Sequence, residues 1–275
     1  MRYGIIADVH ANAYALRTAL DRLTAAGVDA LLCAGDVVGY GAQPDECVAL
    51  IAERDAHCVA GNHELLVLGR LDPGRAGRLA RETTPWTRAA LSPDARAYLA
   101  ALPRVVQLPG LTLAHGAPAD PTTYVREPAQ ARRELAELRR TGTPTGTLVL
   151  GHTHRPWLFG AATGTVPAPP GDPVALPPDD LTLVNPGSVG QSRQAERDPL
   201  ARFALLDVGR RRVRFFAEPY DVPAAVAALR RHGLPRACLH VPPGPWRAVP
   251  RRAATLLRGA GRAVRAARAA RAVRG

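Results

Sequence analysis

Five of the eight histidines in this 275-residue chain stand where short apolar runs end, two of them close to aspartate or asparagine. In chain order the groups are Asp8 and His10, Asp36, Asn62 and His63, His115, then His152 and His154. Imidazole nitrogen and carboxylate oxygen together suit Zn, Mn, Fe, Co or Ni better than Mg or Ca. So many donors fit a pair of ions. Two divalent cations roughly 3.5 to 4 Å apart repel each other and stay together only across a shared carboxylate and a bridging hydroxide. Asp36 is the natural shared carboxylate. Two histidines separated by one residue face opposite ways on a strand, but where the strand turns into a loop they can reach neighbouring ions; His152 and His154 fit that. Each fragment alone also reads as a tight turn or a surface pair. The case for a site is that Asp8-Val9-His10, Gly35-Asp36, Gly61-Asn62-His63-Glu64 and Gly151-His152-Thr153-His154 each follow an apolar strand. His57, His232 and His240 fall outside the pattern and read as structural or exposed.

The elements needed to position these groups are those of a βαβ arrangement. Arg2 to Ala7 reads as a buried strand, Asn12 to Ala25 as a helix with Leu16, Leu20 and Leu23 on one face, and Asp29 to Ala34 as a second strand. Pro44 to Arg54 is a short helix and His57 to Ala60 a third strand. In an open α/β sheet the carboxyl ends of the strands line the ligand crevice, so these polar tips point to one site. Residues 65–104 read as helices that cap or flank it. Strands resume at Val105 to Leu108 and Leu111 to Ala114, a helix spans Pro128 to Arg140, and Thr147 to Leu150 leads into the last histidines. The Pro-rich stretch 166–180 is expected as a surface loop or hairpin insertion. Thr182 to Val184, Arg202 to Asp207 and Val213 to Glu218 have no helices between them, which suggests an antiparallel second sheet.

Composition excludes other classes. With 47% apolar residues and 275 in all, the chain can bury a large α/β core, and a small stapled scaffold is ruled out. Cys33, Cys47, Cys58 and Cys238 show no C-x-x-C spacing and the start has no signal-like run, so a reduced, cytoplasmic protein is expected. No stretch of about 18 uncharged apolar residues exists to span a membrane. The net charge of +12 is unevenly placed: Met1 to Asp221 holds 24 arginines and 24 acids, whereas Val222 to Gly275 holds 12 arginines and no acid. The reading is a neutral body, 1–221, with a basic, partly helical extension, 222–275.

The ordered motifs, followed by His115 and later by Asn185-Pro186-Gly187-Ser188-Val189, resemble the calcineurin-like metallophosphoesterase superfamily, in particular its small bacterial and archaeal phosphodiesterase branch. The motifs are specific for the superfamily and poorly specific for substrate. The resemblance implies a four-layer α/β/β/α sandwich of two mixed β-sheets flanked by helices. It implies two divalent ions, with Mn favoured over Fe, Zn, Ni and Co. One would take Asp8, His10, Asp36 and His154, the other Asp36, Asn62, His115 and His152. A hydroxide between the ions would attack phosphorus in line. His63 would protonate the leaving oxygen or stabilise the transition state; a supporting hydrogen bond is the alternative. Tyr40, Ser188 and Arg193 would lie near the site, with Asn62, Tyr40 and Arg193 as substrate contacts, although Arg193 reads equally as solvated. Protein phosphatases of this superfamily follow the aspartate with Asp-Arg-Gly, whereas this chain has Val37-Val38-Gly39, which disfavours protein substrates. Ala11 replaces a glycine usual in the branch, at little expected cost.

Two function classes follow. The leading one is a dinuclear-metal phosphoesterase, acting on phosphodiesters ahead of monoesters; the other is a basic-tailed nucleic-acid-binding or regulatory protein with a residual metal site. Arg251, Arg258, Arg262 and Arg265 fall opposite Leu256, Leu257, Ala260 and Val264 on a helical wheel. With few bulky residues beyond Arg262, an interfacial membrane helix is disfavoured. A partly disordered tail, or a helix packed by its leucine face, stands beside weak, nonspecific phosphate contact. Any nucleic-acid affinity should therefore fall steeply with salt and vanish on deletion of residues 247–275, measured by filter binding of duplex DNA. Affinity that survives the deletion would contradict the neutral-body reading.

Overall fold

Alternation along the first strands sets the layering. A computed structural model describes residues 1–142, 145–177 and 180–243. In it Arg2–Ile6 forms β1 and Ala30–Cys33 forms β2, in parallel register with Ile5 opposite Leu32 and Ile6 opposite Cys33. Successive side chains point to opposite faces of a strand. Ile5 and Leu32 therefore enter one apolar cluster, and Ile6 and Cys33 another.

The first sheet runs β3-β2-β1-β11-β12-β9, where β3 is His57–Cys58, β9 is Val174–Ala175, β11 is Ala201–Asp207 and β12 is Arg212–Glu218. The second runs β4-β5-β6-β10-β7-β8, formed by Val105–Leu108, Gly110–Ala114, Thr145–Val149, Thr182–Asn185, Trp157–Gly160 and Gly164–Val166. Leu111, Leu113, Val149 and Val184 of the second sheet share the inner cluster with Ile5, Leu32, Leu206 and Phe215 of the first. The outer face of the first sheet is covered by α1 (Ala13–Ala25), α2 (Pro44–Ala52) and α5 (Pro93–Ala101) through Leu16, Leu20, Ile51 and Leu99. Leu135 and Leu138 of α6 (Pro128–Arg140) cover the second, against Leu148 and Leu183. The layers are α/β/β/α, as the motifs imply.

Three sequence expectations need correction. The late strands do not form one antiparallel sheet. β10 joins the second sheet, parallel to β6 and antiparallel to β7, while β11 pairs antiparallel with β1 and carries β12 into the first sheet. Within 166–180, Val174–Ala175 adds an edge strand to β12. The compact unit extends to Val241 rather than ending at the charge boundary near 221. Its last part holds α7 (Val222–Arg231), and Leu229, Leu234, Cys238 and Leu239 are buried with Leu65 and Leu66. The amphipathic stretch Arg251–Arg265 and the arginine repeat to Arg274 lie outside the described residues. Between 62 and 101, the helices are α3 (Asn62–Val67), α4 (Arg78–Ala90) and α5; Arg88 donates to the Leu66 and Val67 carbonyls, closing the end of α3.

The loop between β10 and β11 is braced by Arg202, which pairs with Glu196, and Glu196 also accepts from Ser192 and the Leu200 amide. Burial opposes its charge, but these hydrogen bonds and Arg202 hold the Glu196 carboxyl below its ordinary range. A depressed carboxyl stabilises above its unfolded pKa and loses that contribution as pH falls through the folded value. Glu196→Gln should thus cost about 1–2 kcal/mol at neutral pH. Denaturant titrations should show the difference from wild type closing as the pH falls below the carboxylate range.

Candidate metal centre

The parallel strands β1, β2 and β3 of one sheet and β5, β6 and β10 of the other bring their carboxyl ends to a common edge. Main-chain bonds lace the loops that leave them. Asp8 and His10 donate to the carbonyls of Gly35 and Asp36 at 3.0 and 2.9 Å, and Gly190 donates to the Asp8 carbonyl at 3.0 Å. The His152 amide donates across the sheets to Asp8 Oδ1 at 3.1 Å. Among the described residues nine non-glycine residues have positive φ, and seven of them belong here: Asp8, His10, Ala11, Asp36, Tyr40, His152 and His154. Each such backbone costs on the order of 1–3 kcal/mol and persists only where its surroundings impose it. Ala11, at φ 52°, thus occupies a conformation that glycine would take more cheaply.

In one cluster His10 Nε2 lies 3.1 Å from His154 Nε2, which is 3.4 Å from Asp8 Oδ1. His154 Nδ1 donates to the Gln191 carbonyl at 2.8 Å, and His10 Nδ1 faces the Val38 carbonyl at 3.4 Å. With the outer nitrogens protonated toward carbonyls, the inner nitrogens present lone pairs to each other. In the second cluster His115 Nδ1 faces the Ala34 carbonyl at 2.7 Å and His152 Nε2 the Thr122 carbonyl at 3.2 Å. His115 Nε2 then meets Asp36 Oδ2 at 3.1 Å, Asn62 Oδ1 at 3.0 Å and His152 Nδ1 at 3.2 Å. Acceptors crowded this closely favour a cation between them. Asp8 Oδ2, buried without a hydrogen-bond partner, adds to the same requirement. The donor set therefore fits transition-metal ions.

Asp36 spans both clusters. Its Oδ1 accepts from the His63 amide at 2.8 Å, leaving Oδ2 3.1 Å from His115 and 3.9 Å from His10. Burial opposes its charge, but His115 and His63 pull its pKa well below the ordinary value. Burial likewise works against a charged His115, yet Asp36 outweighs it and raises that group to about 10. Burial pushes Asp8 up to about 8 and, with the His115 charge, His152 down to about 3.

The remaining expected residues are also drawn in. The His63 ring lies 4.7 Å from that of His10 and 4.4 Å from that of Tyr40, centroid to centroid, with its buried Nδ1 unpartnered. His63 also groups with His10 and Asp36 as a possible ligand, a placement the motif expectation lacks. Gly39 makes the space: at φ 87°, a Cβ there would stand 2.1 Å from His63 Nδ1. Arg193 is half-buried and donates from Nε to Gln191 Oε1 at 3.2 Å, so it is not simply solvated, and the Tyr124 ring stacks on His152 with centroids 3.9 Å apart. Ser188 lies beside the site, where its buried hydroxyl donates to the Asp8 carbonyl and accepts from the Gln191 amide, bracing the loop after β1. His57 is exposed, His232 lies beside Trp86, and His240 contacts the Gln194 carbonyl.

Two residues without an expected role hold the loops. Asn185 donates to the Gly151 carbonyl at 2.6 Å and to Thr153 Oγ1 at 3.1 Å, bracing the His152 turn. Glu64, fully buried, accepts from the amides of Asp36 at 2.9 Å, Val38 at 3.1 Å and Gly61 at 2.7 Å, tying the β2 loop to the β3 loop. The quartet Gly61-Asn62-His63-Glu64 carries its only sequence signal, as the third residue of a helix start. In Glu64→Gln an amide NH2 must confront at least one of these N–H groups. The variant should lose about 1–3 kcal/mol of stability in thermal melts and bind Mn about 10- to 100-fold more weakly by calorimetry.

Comparison with known proteins accords with this geometry. The calcineurin-like phosphoesterase superfamily domain matches residues 1–211. A metallophosphoesterase from Sphaerobacter thermophilus is similar at 32% identity and a TM-score of 0.73, covering 87% of this chain and 96% of that one. A hypothetical protein from Pyrococcus horikoshii shares the fold at 20% identity and a TM-score of 0.67, covering 86% and 96%. An uncharacterised protein of Methanocaldococcus jannaschii is 27% identical over 236 residues, covering 84% of this chain and 93% of its own. With its matched span taking in the loops that carry Asp8 through His154, the chain belongs to the calcineurin-like phosphoesterase superfamily and is a metal-dependent phosphoesterase.

Proposed function

We propose that this phosphoesterase uses two divalent transition-metal ions, manganese foremost, and hydrolyses phosphodiesters in preference to monoesters. The observation that carries the reading is the two-sided convergence of acceptors about Asp36 Oδ2. Asp8, His10, Asp36 and His154 would hold one ion and Asp36, Asn62, His115 and His152 the other. Such ions, when bound, supply charge neutralisation for the phosphate oxygens and acidify a water for in-line attack.

The protein's own groups do the rest. The His63 amide fixes Asp36 in the orientation that shares one oxygen between the clusters. The His63 ring, with an unpartnered Nδ1 beside His10 and Tyr40, gives a proton or a hydrogen bond to the leaving oxygen, a role worth roughly 10² to 10⁴ in rate. The Arg193 guanidinium has no ion-pair partner among the described residues, and its charge is available to a non-bridging oxygen. Asn62 and Tyr40 complete the substrate contacts. Four buried, unbridged cysteines accord with a reduced, cytoplasmic setting. No helix among the described residues is long and apolar enough to cross a membrane. The complete donor set disfavours the regulatory alternative.

The chelated protein should regain hydrolysis of bis(p-nitrophenyl) phosphate on addition of Mn, with p-nitrophenyl phosphate turned over more slowly. Asp36→Asn should lower kcat by about 10³-fold or more, the loss of several kcal/mol of charge stabilisation. Full activity in that variant, or no turnover of either ester with any divalent metal, would sink the reading.

A further inference from the structure

The loop between β5 and α6 holds groups that the proposed chemistry does not use. Their effect falls on His152, which differs from the other three imidazoles in the atom it presents. His10, His154 and His115 turn Nε2 inward, whereas His152 turns Nδ1 to His115 Nε2 at 3.2 Å and leaves its own Nε2 facing the Thr122 carbonyl at 3.2 Å. A carbonyl only accepts, so His152 Nε2 carries the proton and Nδ1 keeps its lone pair. Turning the ring by half a rotation about Cβ–Cγ would exchange Nδ1 for a carbon and take Nε2 away from Thr122. The Thr122 carbonyl thus selects the ring orientation that offers a donor to the cluster.

Asp120 holds that carbonyl in place. Its Oδ1 accepts from the Thr122 amide at 3.0 Å and the Thr122 hydroxyl at 2.9 Å, and its main chain closes the turn by donating to the Ala117 carbonyl and accepting from the Thr123 amide, both at 3.0 Å. The turn rests on Gly116, the residue after His115, where a Cβ would stand 2.7 Å from the Pro121 oxygen and 2.8 Å from the Thr123 oxygen. Two residues beyond Thr122, the Tyr124 ring stacks on His152 with centroids 3.9 Å apart and planes 22° apart. Arg75, in a short helical turn at Pro73–Arg75 ahead of α4, donates to Asp120 Oδ2 at 2.8 Å and to Thr122 Oγ1 at 2.5 Å. The Arg75 and Asp120 side chains are 52% and 39% exposed, so as an ion pair alone they add little stability. The consequence of the pair lies in what the other carboxylate oxygen holds.

We infer that Asp120 is a positioning residue for the metal centre: it fixes the Thr122 carbonyl, the carbonyl fixes the His152 ring, and Arg75 latches the segment before α4 to that chain of contacts. This rests on the two-ion reading of the site. Substitutions separate the layers. Asp120→Asn keeps an oxygen for the Thr122 amide and gives up the charge toward Arg75; Asp120→Ala loses both, and Arg75→Ala loses the latch alone.

The test uses the full chain, with Mn titrated in calorimetry and the His152 ring proton followed by NMR in the metal-free protein. Asp120→Ala should speed exchange of the His152 Nε2 proton with water about tenfold and weaken one of two Mn-binding steps about tenfold, leaving the other step unchanged. Asp120→Asn and Arg75→Ala should each stay within about threefold of wild type in both readouts, the scale of an exposed ion pair. Glu46→Ala, which removes the exposed Arg17–Glu46 pair between α1 and α2, should change neither. Unchanged exchange of the His152 proton in Asp120→Ala overturns the inference. So do Mn affinities equal to those of wild type, equal losses at both Mn steps, or the same losses in Glu46→Ala, which would mark a general loss of stability. Wild type that binds no Mn fails the two-ion reading alone, and proton exchange in the metal-free chain still decides for or against Asp120.

Discussion

Buried acceptors that face one another are the constraint on which the rest of the molecule depends. Four imidazoles turn their outer nitrogens to backbone carbonyls of Val38, Ala34, Thr122 and Gln191, and so direct their inner nitrogens toward each other and toward two buried aspartates. A fold that gathers such groups is repelled by its own site until positive charge enters. The cost is met by the apolar clusters between and outside the sheets, and by main-chain bonds that leave the loops no cheaper arrangement.

The bracing is distributed rather than local. Glu64 ties the loops after β2 and β3, Asn185 secures the turn after β6 from the end of β10, and Ser188 holds the β1 loop. Both sheets thus contribute to each cluster. The segment after α7 joins in, since the Ser192 amide donates to the Leu239 carbonyl and Gln191 donates to Ala237. Residues that a charge count assigns to a basic appendage therefore support the loop that carries Arg193.

Much of this was legible in the chain itself. The ligand candidates stand out because each ends a short apolar run, and the helices because Leu16, Leu20 and Leu23, or Leu135 and Leu138, recur at helical spacing. Sheet membership of the late strands was not legible, because β10, β11 and β12 look alike as short apolar runs and only long-range pairing with β6 and β1 distinguishes them. Glu64 and Tyr124 were also hidden. The first is buried by contacts with amides distant in sequence, and the second is made notable only by the His152 ring that folds against it. The boundary near 221 misled because arginine content tracks composition, whereas burial of Leu229 and Leu239 depends on packing against Leu65 and Leu66.

The left-handed backbone at Asp8, His10, Asp36, His152 and His154 also bears on how this site can evolve. Besides glycine, that region of conformational space is visited most readily by asparagine, aspartate and histidine. Drift at these positions is thereby channelled into residues that are themselves metal donors, and β-branched or bulky replacements are penalised before any chemistry is lost. Ligand exchange among Asp, Asn and His is the inexpensive route open to such a lineage, so metal preference can be retuned while the architecture is inherited intact.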